Sequence, residues 1–270
     1  MIFLQNLLRF FDGKMTEPGL FGWFHILWLC ITAGLSVGLC LWHRRKGQTP
    51  VRKVLLWTAI LVILLEVYKQ VNFSFSYEDG ITFDFQWYAF PFQFCSTPMY
   101  VCLLAGLTRP GKLHDALCAY LATFAVFAGI CVMIYPGDVY VDTIGINIQT
   151  MICHGSMVWI GVYLYGSGYV KAQSRTILKA IPVFAVCVGL AVVLNEIARI
   201  SGLLETETFN MFFISPHCAP SLPVYSLVQN VVPFPFCLML YLVGFTAAAF
   251  IILLLVIALQ RAIRKPQYVQ

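Results

Sequence analysis

Long apolar segments, joined by connections whose charge alternates, constrain this chain more than any other feature. The apolar runs reach about 20 residues, which is the length a helix needs to cross the hydrocarbon core of a bilayer. Thirteen of the seventeen Lys and Arg residues fall in every second connection or after the last segment, where Asp115 is the only acid. Because cytoplasmic loops concentrate Lys and Arg, this pattern predicts seven spanning helices, with the N-terminus outside and the C-terminus in the cytoplasm.

The seven apolar segments define the predicted helices. We place them over residues 21–42, 54–71, 87–107, 113–134, 144–165, 177–200 and 232–259. The basic residues on the predicted cytoplasmic side are Arg44, Arg45, Lys46, Arg52, Lys53, Arg109, Lys112, Lys171, Arg175, Lys179, Arg261, Arg264 and Lys265. The predicted fold class is an all-α membrane protein, a bundle of seven transmembrane helices in a single multi-pass domain over residues 1–270.

Two stretches outside the helices are predicted to lie on the outer side. Residues 1–20 combine a broad apolar face with a few polar positions, which is typical of an amphipathic segment lying on a membrane surface. Residues 201–231 form the longest connection, and loops of this length usually have a role of their own. We interpret this connection as an outer loop that either packs on the helix ends or forms a lid.

The composition excludes several classes of function. Hydrophobic residues make up 60% of the chain and charged residues 11%, whereas a soluble domain carries roughly 25% charged residues. The formal net charge of +5 arises in the cytoplasmic loops, so we expect the bilayer as a partner and no nucleic acid. Histidines and carboxylates lack the short spacing of metal ligands, so we expect no metal and no cofactor.

The predicted location is the cytoplasmic (plasma) membrane, and the sequence carries no signal for the oligomeric state.

Polar side chains at membrane depth are costly and are the default candidates for function. The third helix enters from outside near residue 87, which places Cys95 about 12 Å deep at 1.5 Å per residue. The fifth helix enters near residue 144 and places His154 about 15 Å deep by the same rule. A thiol beside an imidazole is the arrangement of a nucleophile with its base. A cysteine on an apolar helix is, however, most often a small hydrophobic packing residue.

Two pairs of opposite charge also fall inside the predicted helices. Glu66 and Lys69 are three residues apart, as are Glu196 and Arg199, and such pairs neutralise each other along one helix face. Local pairing near the outer interface is one interpretation. The other is functional, because the planar guanidinium of Arg199 suits a phosphate, while Glu66 or Glu196 orients His154.

Prolines bracket the polar stretch of the third helix. Pro98 has no N–H to donate to the carbonyl of Phe94, so we predict a kink there. Gln93 and Cys95 point about 160° apart on a straight helix, so only a distorted helix directs both into one pocket. The candidate substrate-binding residues are Gln93, Asn195, Glu196, Arg199 and Glu66.

Several short segments, taken in order, resemble the YwaF-like integral membrane proteins. These segments are Phe21-Gly22-Trp23-Phe24-His25, Glu66, Phe90-Pro91-Phe92-Gln93-Phe94-Cys95, Tyr135-Pro136-Gly137, His154-Gly155, Asn195, Asn210-Met211-Phe212-Phe213 and Pro220-Ser221-Leu222. The family includes a vertebrate transmembrane acyltransferase that remodels ether phospholipids. The resemblance implies phospholipid and lysophospholipid substrates and a catalytic pair formed by Cys95 and His154, which are 59 residues apart. Many bacterial members carry a histidine where this chain has Gln93.

We therefore expect an intramembrane lipid acyltransferase (a transacylase) that moves a fatty acyl chain between phospholipids through a thioester on Cys95. Gln93, Asn195 or a backbone N–H near Pro98 is expected to stabilise the oxyanion. One alternative is a non-enzymatic seven-helix sensor or transporter with a pocket in its outer half. A second alternative is a lipid ester hydrolase that uses Ser96 or Thr97.

Overall fold

The computed structural model describes residues 6, 9–10, 12–46, 50–76, 81–137, 139–219, 225–229 and 231–263, and it is mostly helical. The α-helices are α1 (Trp23–Lys46), α2 (Val51–Ser74), α3 (Thr97–Leu107), α4 (Lys112–Ile134), α5 (Ile144–Gly166), α6 (Thr176–Ile200), α7 (Ser226–Gln229) and α8 (Phe234–Ile263). A short antiparallel hairpin joins β1 (Phe75–Ser76) to β2 (Thr82–Phe83). Single 3₁₀ turns cover Trp87–Ala89, Leu203–Glu205 and Met211–Phe213.

Five described helices are long and apolar enough to cross a membrane, namely α1, α2, α4, α6 and α8. The helix α5 has the length, with 23 residues, but Asn147, Gln149 and His154 interrupt its apolar sequence. The helix α3 has only 11 residues. The chain is thus an integral multi-pass membrane protein, whereas seven spans and the orientation of the termini stay predictions.

The third predicted helix, over residues 87–107, was placed too early in the chain. The α-helix begins at Thr97, and a 3₁₀ turn and an irregular segment replace its first ten positions. Pro98 lies in the first turn of α3 rather than at a kink inside a longer helix. The physical reason is that a proline is tolerated in the first turn of a helix, where its missing N–H has no partner to lose.

The helices α4 and α5 form the centre of the bundle. The helix α5 packs against α1, α2 and α4, while α4 also packs against α6. Close approach of α4 and α5 depends on Gly129, since a Cβ at that position would lie 2.7 Å from the carbonyl oxygen of His154. On the opposite side of α5, a Cβ at Gly155 would lie 2.6 Å from Oγ1 of Thr32 in α1. Small residues therefore allow α4 and α1 to pack closely against α5 around His154.

The helix α4 contains one wider turn. Residues Leu121–Ala125 form a π-helical turn, and all five are buried. Such turns are rare and are frequent at functional sites. This turn contacts α3, α5, α6 and α8, so it lies where the central helices meet.

Eight of the twenty residues of the predicted amphipathic segment, namely 1–5, 7, 8 and 11, lie outside the described residues. Within its described part, Lys14 pairs with Thr143 in an isolated antiparallel bridge and its ammonium approaches Asp142 at 3.4 Å. In the 201–231 connection, residues 220–224 and 230 are likewise outside the described part. The described part contains the fully buried residues Met211, Phe212 and Ile214, which pack into the main core.

Candidate active site

Cys95 lies in an irregular turn immediately before α3. Its side chain is partly buried and packs against the main hydrophobic core. The turn is closed by the N–H groups of Ser96 and Thr97, which both donate to the carbonyl of Gln93 at 2.9 and 3.0 Å. Among the described residues no backbone carbonyl accepts from the N–H of Phe94 or Cys95. The thiol therefore sits beside its own N–H, with which it interacts, near the positive N-terminal end of the α3 dipole.

A buried polar network centred on Glu66 lies next to Cys95. Lys69 forms an ion pair with Glu66, with 2.7 Å between Nζ and Oε1. Gln70 donates to the same oxygen at 2.9 Å and to the Ala89 carbonyl at 2.7 Å. From α5, Gln149 donates to Glu66 Oε2 at 3.5 Å. Because buried charges require partners, this network holds Glu66 and Lys69 in fixed positions.

The same network reaches a second thiol, Cys153 on α5. Gln149 donates to its Sγ at 3.2 Å, and Cys153 packs with Val62 of α2 and Met99 of α3. Cys95 and Cys153 are also close enough to influence each other electrostatically. Sequence reasoning missed Gln149 and Cys153, although their spacing of four residues on a predicted helix places them on one face.

His154 is buried and has one ring nitrogen engaged. Its Nδ1 lies 2.8 Å from the Thr150 carbonyl oxygen, which only accepts, so Nδ1 carries the proton and donates. Its Nε2 is therefore an acceptor, and it is buried without a hydrogen-bond partner among the described residues. Thr150, rather than Glu66 or Glu196, orients the ring. A buried unpaired acceptor is uncommon in native structures and requires an explanation.

The structure does not join Cys95 and His154 by a hydrogen bond. Lys69 is the charged group common to both, since its ammonium acts electrostatically on each of them. On the other side of Cys95 lies Tyr120, which precedes the π-helical turn and shares a hydrogen bond of 3.0 Å with Thr97 Oγ1. The two members of the sequence-predicted pair thus both lie within electrostatic reach of Lys69 and share no hydrogen bond among the described residues.

Gln93 and Asn195 have backbone partners in the 201–231 connection. Asn195 donates to the Met211 carbonyl at 3.0 Å and accepts from the Met211 N–H at 2.7 Å. Gln93 donates to the Asn210 carbonyl at 3.0 Å and accepts from the Phe212 N–H at 2.9 Å. These two amides hold a turn in which Phe212 and Phe213 adopt φ values of 58° and 57°. Such strained backbone persists only where several neighbouring contacts hold it in place, as these two amides do here.

Glu196 and Arg199 form a surface cluster at the C-terminal end of α6. Arg199 Nε donates to Glu196 at 2.8 Å, and the imidazole of His217 lies 3.2 Å from the other carboxylate oxygen. The side chains of Arg199 and Glu196 are 45% and 36% exposed, so this pair is separate from the buried network. The structure confirms local pairing at both Glu196–Arg199 and Glu66–Lys69.

Two other buried histidines have structural partners on both ring nitrogens. His25 accepts from the Phe21 N–H at 3.0 Å and donates to the Met133 carbonyl at 2.8 Å, which ties α1 to the end of α4. At the other end of α4, His114 Nε2 lies 2.7 Å from the hydroxyl of Tyr169. Burial raises the pKa of this tyrosine, which keeps it a hydrogen-bond donor. Among the described residues, no group of three or more His, Cys, Asp or Glu is placed to hold a metal ion.

A helical bundle with apolar spans and a buried polar centre defines an integral multi-pass membrane protein. The sequence model of the TMEM164 family matches residues 20–257. Because this match covers most of the chain, the protein belongs to the TMEM164 family. Neither a curated protein nor a solved structure matches it. The YwaF-like label, the acyltransferase link, the lipid substrates and the plasma membrane all stay predictions.

Proposed function

We propose that the protein transfers fatty acyl chains between phospholipids inside the bilayer, with Cys95 as nucleophile and His154 as base. The observation that carries this proposal is the unpaired Nε2 of His154. The Thr150 carbonyl fixes the tautomer in which Nε2 accepts a proton, and an oriented acceptor is what a general base requires. The buried site also excludes water, which favours transfer to a lipid hydroxyl over hydrolysis.

The first half-reaction loads the enzyme. The Cys95 thiol gives its proton to His154 Nε2, and the thiolate attacks the ester carbonyl of a phospholipid. The tetrahedral intermediate collapses to a thioester on Cys95, while the departing lysophospholipid oxygen takes the proton from His154. In the second half, a lysophospholipid hydroxyl gives its proton to His154 and attacks the thioester. Cys95 leaves as the thiolate and takes the proton back from His154, which restores the thiol and the neutral imidazole.

This mechanism requires Cys95 and His154 to approach each other when substrate binds. Hydrogen bonds between catalytic groups are often long without substrate and tighten in the complex. Lys69 supports the first step, because a cation near Cys95 stabilises the attacking thiolate. In this scheme Glu66 holds Lys69 in place through their 2.7 Å ion pair.

The N–H groups of Phe94 and Cys95, which have no backbone carbonyl acceptor among the described residues, are the proposed oxyanion donors. A nucleophile's own N–H is well placed for this role, since it moves with the attacking atom. Gln93 and Asn195 contribute by holding the outer loop over the site. At the outer surface, Arg199 retains N–H groups beyond the Nε that binds Glu196, and we propose that these contact a headgroup phosphate.

Two other functions are weighed against acyl transfer. A hydrolase with Thr97 as nucleophile is disfavoured, because its hydroxyl bonds the Phe94 carbonyl and Tyr120 rather than a histidine. A non-enzymatic sensor or transporter is favoured by one observation, the buried Glu66–Lys69 pair, since intramembrane charges often mark ligand or proton sites.

The test is acyl exchange by the purified protein in vesicles that contain a phospholipid and an isotope-labelled lysophospholipid. We expect Cys95→Ala to abolish exchange and His154→Ala to slow it by about 10²–10⁴-fold, the usual contribution of a general base. Cys131→Ala and Cys30→Ala are matched controls, because both thiols are exposed on helices away from the site. Full exchange by Cys95→Ala would refute the proposal, and an inactive but folded wild-type protein would favour the sensor or transporter.

A further inference from the structure

A long groove opens between α1 and α2, and α5 forms its floor. Its volume is about 640 Å³, within the roughly 300–1,000 Å³ of small-molecule sites. Most of its walls are apolar, and they include Trp28, Trp42, Trp57 and Trp159. The groove is separate from the buried network, although Thr58 lines both it and a small cavity that reaches Pro98.

The length and width of the groove suit a chain-like occupant. From Trp28 to Trp42 its wall follows α1 for fourteen residues, or about 21 Å at 1.5 Å per residue. Dividing the volume of about 640 Å³ by this length gives a mean cross-section of about 30 Å². The groove is thus long, narrow and mostly apolar, and this shape suits a single hydrocarbon chain.

One end of the groove carries a positive charge. Lys53 lines it beside Pro50, and no ion pair or side-chain hydrogen bond to a described residue engages its ammonium. The neighbouring Arg52 is used differently, since it donates to the carbonyls of Gly106 and Leu107 at the end of α3. On the predicted orientation, Lys53 lies at the cytoplasmic surface, where phosphate groups of lipids are available.

We propose that this groove binds one acyl chain of a phospholipid from the cytoplasmic leaflet, with the lipid phosphate on Lys53. The groove is about 21 Å long, whereas the hydrocarbon layer of one leaflet is only about 15 Å thick. The chain end therefore passes the bilayer midplane and reaches Ile152, two residues from His154 along α5. The site requires a bilayer but no turnover, so it does not depend on the proposed acyl transfer.

The test uses the full-length chain in phosphatidylcholine vesicles doped with a phosphatidylcholine whose acyl chain ends in a photoactivatable diazirine. Cys95→Ala serves as the background, so that no acyl transfer alters the probe. After irradiation, mass spectrometry is expected to find the label at the groove positions near Trp28, Leu61 and Ile152. Leu61→Trp fills the groove and is expected to lower this labelling by about tenfold.

The control is Leu190→Trp on α6, because Leu190 and Leu61 are similarly exposed, at 48% and 43%, and Leu190 lies outside the groove. Lys53→Ala is expected to lower labelling, because it removes the cation proposed to contact the lipid phosphate, while Lys53→Arg retains it. Labelling spread evenly over the outward faces, or unchanged in Leu61→Trp, would overturn the proposal. Acyl exchange by the Cys95-containing protein is measured separately, so failure of one proposal does not decide the other.

Discussion

At the scale of single residues, the amide of Asn195 has the most directly testable role. It is the partner of both backbone groups of Met211, which is fully buried. Asn195→Ala leaves the Met211 N–H unsatisfied, at a cost of about 1–3 kcal/mol, and leaves the Met211 carbonyl with the Ile214 N–H, at 3.5 Å, as its remaining donor. We therefore expect a clear fall in the thermal unfolding temperature of the detergent-solubilised protein. Gln173→Ala, an exposed amide, is the control and should change stability by less than about 0.5 kcal/mol.

The polar residues of the site were visible in the sequence, but their partners were not. Hydropathy identifies Glu66, Gln93 and Asn195 as costly intramembrane groups. It cannot show that Gln93 and Asn195 bind backbone atoms of a loop more than a dozen residues away. The local pairing of Glu66 with Lys69 was predictable, because residues three apart on a helix are neighbours. Contacts between helices depend on rotation and packing, which periodicity leaves open.

At the scale of elements, the α4–α5 contact should be sensitive to a single methyl group. Gly129→Ala places a Cβ 2.7 Å from the His154 carbonyl oxygen and 2.8 Å from the Met157 Cβ, so the helices must separate. Overpacking of this kind typically costs about 1–3 kcal/mol. We expect a lower unfolding temperature and, because His154 moves, slower acyl exchange.

Gly34→Ala on α1 is the matched control for this substitution. No atom lies within 4 Å of a Cβ built at Gly34, and alanine is a better helix former than glycine by about 1 kcal/mol. We expect Gly34→Ala to keep or raise the unfolding temperature. An equal fall in unfolding temperature in Gly129→Ala and Gly34→Ala would show that the close α4–α5 approach does not determine the stability.

The helix ends show where sequence reasoning succeeds and fails at this scale. The predicted bounds of α5 and α6, residues 144–165 and 177–200, differ from the observed ones by a single residue at most. The start of α3 was wrong by ten residues, because an apolar run does not reveal whether its first part is helical. The π-helical turn Leu121–Ala125 has no sequence signal either, since it arises from packing in the centre of the bundle.

At the scale of the whole molecule, length and apolarity identify spans but do not orient them. Five helices meet both conditions, and the distribution of Lys and Arg is the basis of the predicted orientation. The short α3 and the more polar α5 depend on neighbouring helices to satisfy their polar groups in a bilayer. The number of crossings and their direction are therefore separate questions.

Single-cysteine accessibility in intact cells answers both questions. Ser174→Cys and Val231→Cys flank α6 at exposed positions, so a membrane-impermeant maleimide should label only position 231 before permeabilisation. Thr82→Cys and Arg109→Cys flank α3 at exposed positions in the same way, and position 82 should be the outer one. Labelling is measured above that of the unmodified chain, which has ten cysteines. Labelling of position 174 in intact cells would show that the predicted orientation is reversed. Labelling of both positions 82 and 109 would show that the segment containing α3 does not cross the membrane, because the two ends of a spanning segment lie on opposite sides.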